Sequence, residues 1–113
     1  QDETILPCLA MGGARGGIGG TTNYNGRELV GIIDAWEKGD LELARERQNF
    51  SQEVINVICR YRGNIVGGKR IMKLIGLDLG KNRTPFQNMT EEEEIQMKAE
   101  LEAINFFDRC NKL

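Results

Sequence analysis

Two groups of residues near the start of the chain have types and spacing suited to ligand binding. Asp2 and Glu3 form an acidic pair, and a glycine-rich stretch, ARGGIGGTTNYNGRELV, follows over residues 14–30. Glycine adopts backbone conformations that other residues avoid and lets another molecule approach the main chain closely. Carboxylates and exposed backbone groups that converge on one site are typical of sites for hydroxyl-rich ligands. The pattern favours such a site, although an acidic pair also fits a helix N-terminus with no further role.

The chain offers few groups for catalysis. It contains no histidine, which excludes Ser-His and Cys-His nucleophiles and His-ligated metals from this chain. Its cysteines, Cys8, Cys59 and Cys110, are odd in number and far apart, and this predicts buried free thiols. Every lysine falls at a helix end, on a polar face or in a loop, so none is predicted to be a desolvated Schiff-base nucleophile. Any chemistry in this chain would use carboxylates, lysine, tyrosine or backbone groups, and we predict no metal site and no cofactor.

One segment nearly matches a phosphate-binding loop. Residues 63–70, GNIVGGKR, resemble G-x-x-x-x-G-K-[ST], but Arg70 stands where the motif needs a hydroxyl, and a helix precedes instead of a strand. A helix–helix turn is the favoured interpretation. The basic residues around it could meet an anion or form a solvated face: Arg60, Arg62, Lys69, Arg70 and Lys73.

Charge and hydropathy exclude two classes of partner. Lysine and arginine number 15 and aspartate and glutamate 17, so no broad basic field exists for nucleic acid or an anionic membrane. No apolar run reaches the ~18 residues that would span a bilayer, and no signal segment opens the chain. A cytoplasmic setting follows by default.

Hydrophobic periodicity predicts helices over residues 2–12, 27–38, 41–61, about 68–75, and from 90 onwards. The glycine-rich stretch before the second helix is predicted to be a loop around at most a very short strand near Gly17–Gly19. Gly63, Gly67 and Gly68 are predicted to break the chain before the fourth helix. Thr90 and Glu93 match a capping box. The predicted buried stripe of the 41–61 helix is Phe50, Val54, Val57, Ile58 and Tyr61. For the last helix it is Ile95, Ala99, Ala103, Phe106 and Cys110, widened by Leu101, Ile104 and Phe107.

The order of these features resembles the N-acetylneuraminate lyase (sialic acid aldolase) group, within the wider family that includes dihydrodipicolinate synthase. The resemblance covers essentially all 113 residues. Its most specific parts are the acidic pair, the glycine stretch, the EKGDLELA junction and the RTPF segment at 83–86.

The resemblance implies an α/β fold, the C-terminal part of a TIM (β/α)₈ barrel from about the end of strand 7 to helix 8, followed by a three-helix appendage. Residues 1–38 would be the barrel units and 39–113 the helical appendage. This chain by itself is expected to be mostly α-helical. The resemblance also implies a homotetramer in the full-length form.

The implied activity is that of a Schiff-base aldolase that cleaves N-acetylneuraminate to N-acetylmannosamine and pyruvate. Asp2, Glu3, Gly19 and Gly20 match positions that bind the sugar's glycerol-like tail, although many relatives have serine where Gly20 stands, and this departure removes a hydroxyl donor. The catalytic lysine and the proton-relay tyrosine would lie upstream of Gln1, so the chain alone is expected to be inactive.

Two alternatives remain open. The chain could belong to a dihydrodipicolinate synthase, or it could be a non-catalytic helical assembly module. In the second case the helices at 2–12 and 27–38 would expose apolar faces meant for a sheet, and such faces favour association.

Overall fold

The computed structural model describes residues 1–112 and shows a chain built of helices. A 3₁₀ turn, Asp2–Thr4, leads into the first α-helix, and a π-helical segment, Asn64–Gly68, leads into the fourth. The helices are α1 (Ile5–Ala10), α2 (Thr22–Glu37), α3 (Leu41–Arg60), α4 (Lys69–Leu74), α5 (Glu91–Ala103) and α6 (Phe106–Arg109). The expected mostly helical character is confirmed.

Helices α3 and α4 lie where the periodicity placed them. Gly39, with a φ of 76°, ends the preceding helix. Asp40 then caps α3, because its carboxylate accepts a hydrogen bond from the Leu43 backbone N–H at 3.0 Å. All five residues of the predicted α3 stripe are buried. The capping box at the start of α5 is also present.

Helix α2 begins at Thr22, inside a stretch that was predicted to be a loop. Threonine, asparagine and glycine are weak helix formers, so the local sequence does not indicate this first turn. Contacts with distant residues stabilise the first turn of α2 instead. The Asp2 carboxylate accepts from the backbone N–H and the hydroxyl of Thr21, and the Asn111 side chain donates to the Thr22 carbonyl at 3.0 Å.

The very short strand predicted near Gly17–Gly19 is not formed. Residues 14–19 are irregular, and no strand is assigned anywhere in residues 1–112. A strand is held by hydrogen bonds to a neighbouring strand. No second extended segment lies beside this one within the described part of the chain.

The predicted stripe of the last helix is partly wrong. Ile95 is 72% exposed, and Ala99 and Ala103 are exposed as well, whereas Met97 and Leu101 are fully buried. The helix also ends at Ala103, and Asn105, two residues further on, adopts a left-handed conformation with a φ of 57°. The prediction assumed one continuous helix, and its pattern of buried positions does not apply on both sides of this break. Phe106 and Cys110, which lie beyond the break, are nevertheless buried as predicted.

Two hydrophobic clusters hold the helices together, and α3 takes part in both. The smaller cluster joins α1 and α2 to the start of α3 through Ile5, Leu6, Leu9, Leu29, Ile32, Ala35 and Ala44. The larger joins the rest of α3 to α4, α5 and α6, and Tyr24 of α2 belongs to it. The apolar faces of α1 and α2 thus pack on neighbouring helices, contrary to the expectation that they would be exposed.

Within residues 1–112, none of the helices combines the length and the apolar character needed to cross a bilayer.

Candidate functional site

The 3₁₀ turn at the start of the chain is fixed against α3. Gln48 donates from its side-chain amide to the Asp2 carbonyl at 3.0 Å, and it accepts from the Leu6 backbone N–H at 2.9 Å. Gln52, one turn further along α3, donates to the Glu3 carbonyl at 3.1 Å. Two glutamine side chains therefore hold the backbone that carries the acidic pair.

The Asp2 carboxylate lies directly against the glycine stretch. Asp2 is buried, and its Oδ2 accepts from both the backbone N–H of Thr21, at 3.0 Å, and the Thr21 hydroxyl. A Cβ added to Gly19 would overlap all three atoms of the Asp2 carboxyl group. Glycine at position 19 is therefore required by the close approach of this carboxylate.

Glu3 presents a different environment. Its side chain is half-buried, and its carboxylate has no hydrogen-bond or ion-pair partner among residues 1–112. The Oδ1 atom of Asp2 likewise accepts no hydrogen bond from the described chain. The two carboxylate oxygens of Glu3 are thus available to hydroxyl donors, while Asp2 is only 6% exposed.

All four residues predicted to bind substrate line one cavity of about 330 Å³. Asp2, Glu3, Gly19 and Gly20 form one part of its wall. The remaining wall comes from Gln1, Ile18, Thr21, Ile55, Ile58, Cys59, Gly63 and Asn64. The structure thus brings the sequence-predicted residues together, while their role in binding stays a prediction.

Sequence reasoning missed Thr21, Tyr24 and Asn64. Tyr24 is buried, and its hydroxyl donates to Oδ1 of Asn64 at 2.7 Å. Burial, with smaller contributions from the nearby Asp2 and Cys59, raises the pKa of the Tyr24 phenol well above its usual range. Tyr24 and Asn64 are 40 positions apart, so no local pattern indicates the pair.

The segment that resembled a phosphate-binding loop has another structure. The predicted break is present at Gly63, which has a φ of 72°, whereas Gly67 and Gly68 lie inside a continuous helical run because residues 64–68 form the π-helical segment. A Cβ on Gly67 would lie 3.2 Å from the carbonyl oxygens of Ile58 and Tyr61 at the end of α3. These glycines allow close helix packing and form no phosphate cradle.

The basic residues around this segment are occupied by partners. Arg60 pairs with Glu100, Arg62 with Glu93, and both Arg70 and Lys73 with Glu94, while Lys69 donates to the Lys81 carbonyl. Four of these five side chains thus bind the glutamates of α5. These pairings argue against an anion site. The solvated-face interpretation agrees with the exposure of Arg60, Arg62 and Lys73, whereas Lys69 and Arg70 are half-buried.

The lysines and cysteines also bear on chemistry. Lys69 is half-buried and the other lysines of residues 1–112 are exposed, in line with the prediction that none is a desolvated nucleophile.

The cysteines are free, but Cys8 and Cys59 are exposed and only Cys110 is buried, so the prediction of buried thiols is wrong for two of them. Cys8 lies on the outer face of α1, and Cys59 borders the cavity.

The fold and the cavity together define a helical chain with an acidic, glycine-lined pocket. The chain belongs to the dihydrodipicolinate synthetase family, whose sequence profile matches residues 1–104. This confirms the family resemblance found in the sequence.

Individual relatives indicate the group within the family. The N-acetylneuraminate lyase of Rattus norvegicus is 34% identical over 106 residues, covering 93% of this chain and 33% of the relative. That of Rhizobium meliloti (strain 1021) is 37% identical over 90 residues, covering 80% of this chain and 29% of the relative. The solved structure of Proteus mirabilis N-acetylneuraminate lyase superposes with a TM-score of 0.84 at 31% identity, covering 94% of this chain and 35% of that one. The chain thus spans about a third of the length of the relatives that it matches.

Proposed function

We propose that this chain forms part of a Schiff-base aldolase that cleaves N-acetylneuraminate to N-acetylmannosamine and pyruvate. Its own contribution is the binding of the hydroxyl-rich tail of the sugar acid by Asp2, Glu3, Gly19 and Gly20. The single observation that carries the proposal is the convergence of the acidic pair and the glycine backbone on one cavity, in a chain related to N-acetylneuraminate lyases.

The chemistry of the cavity supports this assignment. Open carboxylate oxygens accept hydrogen bonds from hydroxyl groups, and hydrogen bonds to a charged group contribute more than those between neutral groups. The uncovered main chain at Gly19 and Gly20 lets a ligand approach closely. Both features suit a polyol better than an apolar ligand.

Bond cleavage is assigned to groups outside residues 1–113. The described lysines are exposed, half-buried or bonded to neighbours, so none is in the apolar environment that lowers a lysine pKa for imine formation. The wider architecture follows the same proposal: residues 1–38 belong to a (β/α)₈ barrel, 39–113 form a helical appendage, and the full-length protein is a cytoplasmic homotetramer.

The first test is activity. The full-length protein is expected to release pyruvate from N-acetylneuraminate and, with pyruvate and borohydride, to retain a reduced adduct on one lysine. The 113-residue chain alone is expected to give neither product. A stoichiometric adduct on a lysine of this chain would refute the assignment of cleavage to other residues.

The second test addresses the binding residues. Glu3→Gln is expected to raise KM for N-acetylneuraminate about tenfold, because a charged hydrogen-bond acceptor contributes roughly 1.5–3 kcal/mol. KM for pyruvate in the condensation direction should stay unchanged. Glu37→Gln, at an exposed position at the end of α2, is the matched control. An unchanged KM for the sugar acid in Glu3→Gln would contradict the proposed role.

A second candidate is dihydrodipicolinate synthase, because the family profile that matches carries that name. A synthase would condense pyruvate with aspartate semialdehyde and would ignore N-acetylmannosamine. Assaying both aldehyde substrates with the same protein distinguishes the two enzymes.

A further inference from the structure

We propose that Asn64 is a specificity-determining residue whose side-chain Nδ2 donates a hydrogen bond to a hydroxyl of the bound sugar acid. This inference rests on the proposed function and extends it to a residue of the helical appendage. The Asn64 amide is closely surrounded by two glycines, its Nδ2 has no acceptor among residues 1–112, and the residue lines two cavities.

Two glycines make room for the Asn64 amide. A Cβ added to Gly20 would overlap Nδ2 of Asn64 and lie 2.6 Å from its Cγ. A Cβ added to Gly68 would lie 3.0 Å from Cγ and 3.1 Å from the Tyr24 hydroxyl. Neither glycine has a positive φ, so the need for glycine here comes from the amide and not from the backbone conformation.

The amide is fixed at one end and open at the other. Oδ1 accepts from the Tyr24 hydroxyl at 2.7 Å, and Tyr24 is held in the larger hydrophobic cluster. Nδ2 donates to no acceptor among residues 1–112, and the residue is exposed. A donor held in place before the ligand arrives costs little conformational entropy when it binds.

Asn64 stands between two cavities. It lines the cavity that contains Asp2 and Glu3, and with Gly20 it also lines a second one of about 270 Å³. The far wall of the second cavity is largely apolar and includes Met72, Leu77 and Leu79. A hydroxylated tail that lies along the acidic pair in the first cavity would therefore contact the Asn64 amide at the border with the apolar second cavity.

The test exchanges this donor between positions 64 and 20 in the full-length protein. Asn64→Ala removes the donor, and Gly20→Ser alone places a side chain where the amide already stands. In the double variant Gly20→Ser/Asn64→Ala, the serine hydroxyl occupies the vacated space. Gly20→Ala/Asn64→Ala fills the same space without a donor and is the matched control. Asn56→Ala controls for loss of an exposed asparagine on α3.

The KM for N-acetylneuraminate is expected to rise about 3- to 10-fold in Asn64→Ala, as the loss of one neutral hydrogen bond predicts. It should also rise in Gly20→Ser, because the added side chain displaces the Asn64 amide, and it should stay unchanged in Asn56→Ala. Gly20→Ser/Asn64→Ala should return to within about twofold of the unmodified protein, while Gly20→Ala/Asn64→Ala should not. KM for pyruvate should stay constant in every variant.

Other outcomes overturn the inference in distinguishable ways. Equal KM values in the two double variants would show that Asn64 only fills space and supports Tyr24. An unchanged KM in Asn64→Ala would remove the inference while leaving the proposed function in place. No turnover of N-acetylneuraminate by the unmodified protein would remove both together.

Discussion

The two carboxylates of the acidic pair have divided roles. Oδ2 of Asp2 binds the backbone and hydroxyl of Thr21, so this residue positions the start of α2 as well as lining the cavity. The Glu3 carboxylate has no partner within residues 1–112 and is free to accept from a ligand. Substitutions at Asp2 and Gly19 should therefore affect stability, whereas those at Glu3 should affect binding alone.

Gly19→Ala tests the contact between the glycine stretch and Asp2. The added methyl group would displace the Asp2 carboxylate from Thr21, and loss of buried hydrogen bonds should lower the free energy of unfolding by about 1–3 kcal/mol. Gly16→Ala is the control, since its Cβ would meet nothing within 4 Å and its φ is not positive. That variant should be neutral or stabilised by up to about 1 kcal/mol. Equal urea midpoints for both variants would show that the contact between Gly19 and Asp2 does not stabilise the fold.

The sequence was informative about these residues only where the signal was local. Asp2, Glu3, Gly19 and Gly20 could be selected because acidic and glycine patterns are visible within a short segment. Asn64 could not, because its partners Tyr24 and Gly20 lie more than a whole helix away along the chain.

At the scale of elements, the bounds and buried face of α3 and the start of α5 could be predicted from the sequence. The buried face of α5 could not. Asp40, Gly39 and the Thr90–Glu93 box are local signals that fix where helices begin and end. In α5 two stripes compete, one through Ile95 and one through Met97, and only packing against α3 selects the second. The start of α2 likewise depended on distant partners.

The capping box of α5 gives a pH prediction. The Arg62 guanidinium, followed by the Thr90 backbone N–H, lowers the pKa of Glu93 from 4.5 to about 2. A carboxyl group whose pKa is lower in the folded state stabilises the fold above its unfolded pKa and loses this contribution as pH falls. Stability should therefore decline between about pH 4.5 and 2, and Glu93→Gln should reduce the slope of urea midpoint against pH in that window. Arg62→Met should reduce it as well, and an unchanged slope in both variants would contradict the assignment.

Helix α6 is attached through a partly buried ion cluster. Arg109 pairs with Glu28 at 2.6 Å and with Glu46 at 2.7 Å, and its guanidinium stacks 3.9 Å from the centre of the Phe50 ring. The Glu28 side chain is only 6% exposed, and it also pairs with Arg47 at 3.0 Å.

Arg109→Ala should lower the free energy of unfolding by about 1.5–3 kcal/mol, because it removes one of the two arginines that bond the buried Glu28 carboxylate. Arg60→Ala breaks an ion pair whose arginine is 55% exposed, and it should cost less than about 1 kcal/mol. Similar losses in the two variants, measured by urea unfolding, would show that the cluster contributes no more than a surface pair.

At the scale of the whole molecule, the chain buries much of its apolar surface between its own helices. Both hydrophobic clusters are formed by helices of this chain, including the faces of α1 and α2 that were expected to lie open. Ile18 and Met11, at the glycine-rich segment, stay exposed. The barrel part of the predicted fold could not form here, because its strands need neighbours outside these residues.

This packing predicts the state of the isolated chain. Light scattering of the 113-residue chain at micromolar concentration should give a mass near 12.7 kDa. A mass several times larger would favour the helical assembly module over the binding role proposed here.

The most direct test of the central claim is protection of Cys59 from alkylation in the full-length protein. Cys59 is exposed and borders the cavity that contains Asp2 and Glu3, while Cys8 is exposed elsewhere and Cys110 is buried. With iodoacetamide and mass spectrometry, saturating N-acetylneuraminate should slow modification of Cys59 at least several-fold and leave Cys8 unchanged. Equal rates at Cys59 with and without the sugar acid would contradict the claim that this cavity holds it.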